Sequence, residues 1–370
     1  MVLLSAAGGR GPLFTLAVSA GAMLVFIVGF MAWQTPSKMP FTRHNPSYMS
    51  NETPIHAEKA PTSINDIIRT LYAPLKATPT EPSIRQPNGS LIELPPNPRF
   101  KKPLGSEILI LDLETRDLQS TQDFQKGQYD WRNINHVSGG IFNHYTYAVI
   151  HGYDYKFIQA SNFQDRHATW IKPSALANHI KNYKFIIFLD ADATFRFLHV
   201  PIEWMLNYWD VQKTHAITMA KDPWDPKSPQ FNADRFNRTY TNTGFMIVQN
   251  TAQTLPILKA WHECPDDVRY ANCSHWKYPR FHEQSAFGEY IRYDYEPYIK
   301  ELECGEANGF PGVELSNCQG KLVRHYWFEK HLVKNDFQQN MMNAITMPIQ
   351  KLFADNTSHI ITKTGENVIH

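Results

Sequence analysis

Asp190 and Asp192 stand two residues apart in "YKFIIFLDADATF" (residues 183–195), directly after the apolar run Phe185 to Leu189. If the backbone stays extended beyond Leu189, side chains two apart point to one side, and both carboxylates face the same ligand. Two anions so placed repel unless a cation lies between them. Oxygen ligands suit Mg²⁺ or Mn²⁺, ions that one or two carboxylates commonly hold together with substrate phosphates. The stretch is a candidate metal and diphosphate site, although an isolated Asp-x-Asp is as often a solvated turn or a helix cap.

The elements that must position this pair alternate. "EILILDLE" (107–114) reads as a buried strand, "GGIFNHYTYAVIHGY" as a helix with glycines at both ends, and residues 155–160 as a second strand. A second helix has Pro173 near its first turn, with Leu176, Ile180 and Tyr183 at helical spacing, and it runs into Phe185 to Leu189. This β-α-β-α-β order predicts an α/β fold with parallel, buried strands and right-handed crossovers. Ligands of such sheets bind beyond the carboxyl ends of the strands, where Asp190 and Asp192 lie.

The residues around and beyond the pair separate two chemistries. "FLDADAT" resembles the Asp-x-Asp-x-Thr start of haloacid-dehalogenase-type phosphatases, whose first Asp is a nucleophile. That strand usually opens its domain, whereas here two strands and two helices precede it. Downstream come "YTNTGFMIVQN" (240–250), with Asn242, Thr243 and Gly244 ahead of the strand Phe245 to Val248, then a helix around Leu255 to Trp261, "FHEQSAFGEYI" (281–291) and "KLVRHYWFEKH" (321–331). This ordered set resembles the GT-A fold glycosyltransferases, and most nearly glycosyltransferase family 34, the fungal and plant galactosyl-, mannosyl- and xylosyltransferases. "HGYDY" (151–155) and "TWIKPSAL" (169–176) also look like that family's segments.

The resemblance covers residues 105–335 and implies a Rossmann-like nucleotide-diphospho-sugar transferase domain. It assigns Asp190, Asp192 and His325 to a metal ion (Mn²⁺ or Mg²⁺), and Asp190, Asp192 and Lys330 to the donor diphosphate. Asn242, Glu283 and Gln284 would line the sugar pocket as catalytic residues. It further implies transfer of a hexose, galactose or mannose favoured, from a UDP-hexose or GDP-mannose donor to a glycan or glycoprotein acceptor, with retention and an α-linkage. The first strand ends in "LDLETRD" without the Thr-Gly step of many relatives, so UDP and GDP both stay open; Glu283 stands where some relatives carry Asp. A non-catalytic subunit of a Golgi glycosyltransferase complex is the alternative, and such a complex is an expected partner in either case.

The rest of the chain concerns location. Residues 1–11 read as a cytoplasmic tail and residues 12–33 as a transmembrane signal anchor, long enough to cross about 30 Å of hydrocarbon; a cleaved signal peptide is the other reading. Residues 34–104 hold 13 of the 25 prolines and read as a solvated luminal stem. Its one helical stretch is "TSINDIIRTLYAPL", capped by Ser63, with Ile64, Ile67, Ile68 and Leu71 on one face, a helix expected to dock on the domain or on a partner. Sequons at Asn51, Asn88, Asn237, Asn272 and Asn356 come after the apolar segment. All four cysteines do too; pairing of neighbours, Cys264–Cys273 and Cys304–Cys318, is expected among three arrangements, with four free thiols as the alternative. Together these features predict a single-pass type II Golgi membrane protein with a luminal catalytic domain. The net charge of +1 gives no reason to expect nucleic acid. Residues 336–370 read as a C-terminal extension without assignable motifs.

Overall fold

The computed structural model describes residues 63–118, 130–313 and 318–362. The tail, the expected membrane segment 12–33, the stem as far as residue 62 and the Asn51 sequon lie outside the described residues. Among those described, no helix is long and apolar enough to cross a membrane.

The principal elements in chain order are α1 (Ile64–Tyr72), β1 (Ser83–Arg85), β2 (Leu91–Glu93), β3 (Ile108–Glu114), α2 (His136–His151), β4 (Asp154–Gln159), α3 (Ile171–His179), β5 (Phe185–Leu189), β6 (Ala193–Phe195), α4 (Ile202–Tyr208), β7 (Ile217–Lys221), β8 (Thr241–Gln249), α5 (Thr254–His262), α6 (Glu283–Ala286), β9 (Ile299–Leu302), β10 (Val323–His325) and α7 (Val333–Asp355). Six strands make the central sheet, in the order β4-β3-β5-β8-β7-β9. β3 pairs parallel with both β4 and β5, as the alternating sequence predicts. β8 then runs antiparallel to β5 and β7, so the sheet is mixed. β3, β5 and β8 are buried almost throughout, whereas β4 is the edge strand and alternates in exposure. Because β3 connects to β4 on one side and the chain then crosses back to β5 on the other, the ends of β3 and β5 border the crevice where open α/β sheets bind ligands.

The helix within residues 63–104 docks on the domain, one of the two expectations for it, but the residues after it are not a solvated spacer. α1 forms as the sequence predicts, with the Asp66 N–H donating to Ser63 Oγ at 3.2 Å. Its last residue, Tyr72, and beyond it Ala77, Ile84 and Ile92 enter the main core beside β5 and α4. Trp204 Nε1 donates to Glu81 O at 2.8 Å, and Asn207 Nδ2 donates to Pro79 O at 3.0 Å and Phe100 O at 2.8 Å. Apolar runs of one to four residues between prolines are too short for a periodic signal, and here long-range partners that include α4 bury them.

The boundary at residue 336 moves as well. α7 begins at Val333, and its buried Asp336 accepts from Thr194 Oγ1 at 2.9 Å and Tyr326 Oη at 2.7 Å while pairing with Arg324. The first turns of α7 are therefore part of the domain. Cys264–Cys273 and Cys304–Cys318 are both disulfides, as expected from neighbour pairing.

Candidate functional site

Asp190 and Asp192 are brought together by a turn rather than by continued extension. Asp190 N donates back to Gly244 O on β8 at 2.8 Å, and Ala193 N donates to Asp190 O at 2.9 Å. The chain then enters β6, which pairs antiparallel with β10 in a register that sets His325 opposite Ala193. Tyr326 N donates to Asp192 O at 2.9 Å and fixes that register against the turn. One ligand atom each of Asp190, Asp192 and His325 then lie within 4.8 Å of one another. Two glycines allow this approach. A Cβ on Gly244 would stand 2.1 Å from His325 Cε1, and one on Gly140 of α2 would stand 2.3 Å from Ala191 O.

Two lysines balance the carboxylates. Lys330 Nζ lies 2.7 Å from Asp192 Oδ2, and Lys172 Nζ lies 3.0 Å from Asp190 Oδ1 and 3.2 Å from Glu283 Oε1. Burial alone would lower the pKa of Lys172, but Asp190 and Glu283 outweigh it and push the group up to about 12. Burial and the neighbouring charge of Asp192 raise the Asp190 carboxyl despite Lys172. Burial works in the same sense on Asp192, yet His325 and Lys330 hold it far below the usual carboxylate range. The two acids are thus split, as close carboxylates are when one has the better cationic partners.

The donor set fits a hard divalent cation: two carboxylates and one imidazole converge, and a second anion would be disfavoured there without one. His325 Nε2 faces Asp192 Oδ1 at 3.1 Å, and Trp327 Nε1 donates to His325 Nδ1 at 3.0 Å. With Nδ1 accepting, the proton of the neutral ring sits on Nε2. A cation held by His325 through Nε2 would take the place of that proton.

The cluster opens into a cavity of about 410 Å³ lined by Glu114 and Thr115 at the end of β3, by Asp190 and Asp192, and by Lys172 and His325. A second cavity, about 810 Å³, shares Asp192 and Lys330 with it and contains Asn242, Gln284 and Asp222. Asp222 ties these together: it accepts from Asn242 Nδ2 and from Gln284 Nε2, each at 2.7 Å, and from Asn308 Nδ2 at 3.4 Å. Gln284 Oε1 accepts from Thr243 N at 3.1 Å, and Asn242 Oδ1 accepts from Gly244 N at 2.8 Å. Both amides are thereby fixed by β8. Burial raises the Asp222 pKa against those donors.

Of the sequence-assigned residues, Asp190, Asp192 and His325 cluster, Lys330 joins them, and Asn242 and Gln284 line the second cavity. Glu283 lines neither cavity; it is buried behind Lys172, with Thr243 Oγ1 donating to it at 3.0 Å, and its pKa is held low against burial by Lys172. Asn242, Thr243 and Gly244 lie inside β8 rather than ahead of it. Lys172 and Asp222 are not among the residues assigned from the sequence. Helical spacing says nothing about a buried lysine, but Asp222 comes after the apolar strand "AITMAK" just as Asp190 comes after its own, and that repeated pattern was a usable signal.

Residues 143–344, more than half of the chain, match the family described as Nucleotide-diphospho-sugar transferase. Among solved structures, the chain resembles a glycosyltransferase involved in glycosylation of the major capsid of PBCV-1, at 14% identity and TM-score 0.43, over 62% of this chain and 98% of that one. It resembles mouse xyloside xylosyltransferase 1 at 14% identity and TM-score 0.38, over 62% and 99% of the two chains. For galactosyltransferase LgtC in complex with donor and acceptor sugar analogues, the values are 12% and 0.32, over 50% and 75%. No curated protein matches the chain.

Proposed function

The chain belongs to the nucleotide-diphospho-sugar transferase family, and from that premise we propose that it is a metal-dependent glycosyltransferase resembling family 34, moving a hexose from UDP-hexose or GDP-mannose to a glycan with retention. The observation that carries the reading is the convergence of Asp190, Asp192 and His325 within 4.8 Å at the end of β5, beside a cavity containing Lys172. We place it as a single-pass type II Golgi enzyme on the apolar segment and the sequons; Asn88, Asn237 and Asn272 are exposed.

Asp190, Asp192 and His325 would hold Mn²⁺ or Mg²⁺, which when bound supplies positive charge against the diphosphate leaving group. Lys330 is half-exposed and can exchange Asp192 for a phosphate oxygen, adding a second cation where charge develops. Lys172 is buried and paired on two sides, so it fixes the Asp190 turn rather than reaching for substrate. As the bond from the anomeric carbon to the diphosphate oxygen breaks, its electron pair goes to that oxygen. The acceptor hydroxyl attacks the same face and gives its proton to the departing diphosphate. Asp222, held by Asn242 and Gln284, would face the sugar carbon as it becomes cationic. Glu283 acts at one remove, through Lys172.

Proton NMR of the product, recorded before anomeric exchange, tests the stereochemical part. An α-linked product from an α-linked donor is expected, and a β-anomeric signal contradicts retention.

A further inference from the structure

The second cavity has features that the donor chemistry does not use. Phe231 comes from the β7–β8 connection, and Phe328 lies just beyond β10; they are 52% and 81% exposed, and both border the cavity that contains Asp222. Phe281 and Trp327 line the same space, and the Arg280 guanidinium lies 3.5 Å from the Phe231 ring centroid. Large aromatic side chains left open around one concave site point to a ligand rather than to scattered surface chemistry.

Size and charge narrow that ligand. The cavity of about 810 Å³ lies towards the upper end of the roughly 300–1,000 Å³ that hold a drug-sized molecule, so the donor's sugar ring and a single acceptor ring together would still leave part of it to water. Sugar rings carry C–H bonds on their faces, and these seat on the electron-rich faces of aromatic rings. Besides Asp192, which belongs to the cation cluster, Asp222, Asp225 and Glu329 line the cavity against only Arg280 and Lys330. Lys330 is already engaged with Asp192. An anionic chain would meet an excess of carboxylates.

We infer that this cavity takes the acceptor as a neutral glycan of at least two linked sugars, with Phe231 and Phe328 as the residues that select for the second ring. The inference rests on the donor reading above and names the substrate class for the same site.

The test is saturation-transfer NMR on the full-length protein with Mn²⁺, with and without UDP or GDP. The probes are methyl glycosides of mannose, galactose and glucose, their neutral disaccharides, and disaccharides carrying a glucuronic acid. At least one neutral disaccharide should bind about tenfold more tightly than its monosaccharide, and its acidic counterpart should bind more weakly. Phe231→Ala and Phe328→Ala should each erase that advantage, and Phe328→Trp should keep it. Equal affinities for one and two rings, acid-bearing sugars bound as tightly, or a preference surviving both alanine variants would overturn the inference. Nucleotide binding with no ring preference leaves the donor reading standing and removes this one; a ring preference with no nucleotide binding does the reverse.

Discussion

Lys172 and Glu283 form an ion pair at 3.2 Å, with side chains only 6% and 3% exposed. The same ammonium meets Asp190 at 3.0 Å, so one cation ties α3 to the Asp190–Ala193 turn and to α6. Removing it leaves two carboxylates without their partner. Lys172→Met should therefore cost about 3–5 kcal/mol of stability. Adding Glu283→Gln to that variant should restore part of the loss. Urea unfolding of both single variants and the double variant measures this, and strictly additive effects would mean that the pair is not coupled.

A second prediction concerns pH. His151 donates from Nε2 to Leu198 O at 2.9 Å, and burial, reinforced by Lys76, lowers its pKa to about 3. Below about pH 6.5 the unfolded chain takes a proton that the folded chain refuses, so stability should fall as pH drops from about 6.5 towards 3, by up to about 1.4 kcal/mol per unit from this group. Lys172 acts at the other end. Its folded pKa is raised to about 12. Its contribution is fully present below about pH 10.4 and is lost as pH rises through the folded value. Unfolding midpoints across pH should show both flanks, and His151→Leu should flatten the acid one.

The candidate metal site depends on a close approach that only glycine permits. A Cβ on Gly244 would stand 2.1 Å from the His325 ring, and both residues are held by backbone pairing. Gly244→Ala should push His325 out of the cluster and weaken Mn²⁺ binding by roughly 10–100-fold, the scale of a misplaced ligand. Calorimetric titration with Mn²⁺ reads this, and unchanged affinity would remove His325 from the ligand set.

The site was legible in the sequence where chemistry sat on a patterned element. The Asp pair closes a five-residue apolar strand, and α2 to β5 could be read from periodicity and glycine placement. The pair does not share a face by strand spacing, however, because Ala193 N closes a turn onto Asp190 O instead of prolonging the strand. Which way Glu283 and Lys172 face was not legible, for a common reason: whether a charged residue faces a cavity or another buried charge depends on contacts between α3 and α6, 111 positions apart in the case of this pair. The same limit explains the stem. Ile84 and Ile92 lie in short runs between prolines, and Trp204 and Asn207 on α4 bond to the backbone that leads into them, so that the segment becomes part of the core.

The disulfides give a further expected outcome. Cys264–Cys273 closes a short loop carrying the exposed Asn272, and Cys304–Cys318 joins the segment after β9 to the approach to β10. Peptide mapping without reductant should return these two bridges. Replacing Cys304 and Cys318 together by alanine should lower stability by about 2–4 kcal/mol. Alkylation of all four thiols in unreduced protein would contradict the pairing.

If Asp190, Asp192 and His325 hold the cation on which nucleotide-sugar turnover depends, removing either the cation or a carboxylate must stop the reaction. The decisive experiment follows turnover of UDP-galactose, UDP-glucose and GDP-mannose by the full-length protein in Mn²⁺, in chelator, and with Asp190→Asn and Asp192→Asn. Turnover of at least one donor is expected in Mn²⁺, none in chelator, and a fall of roughly hundredfold or more in each variant, equivalent to about 2.7 kcal/mol or more of transition-state stabilisation. Full activity of the double variant in chelator, or phosphate release without a sugar donor through a trapped phospho-Asp190, would contradict that role.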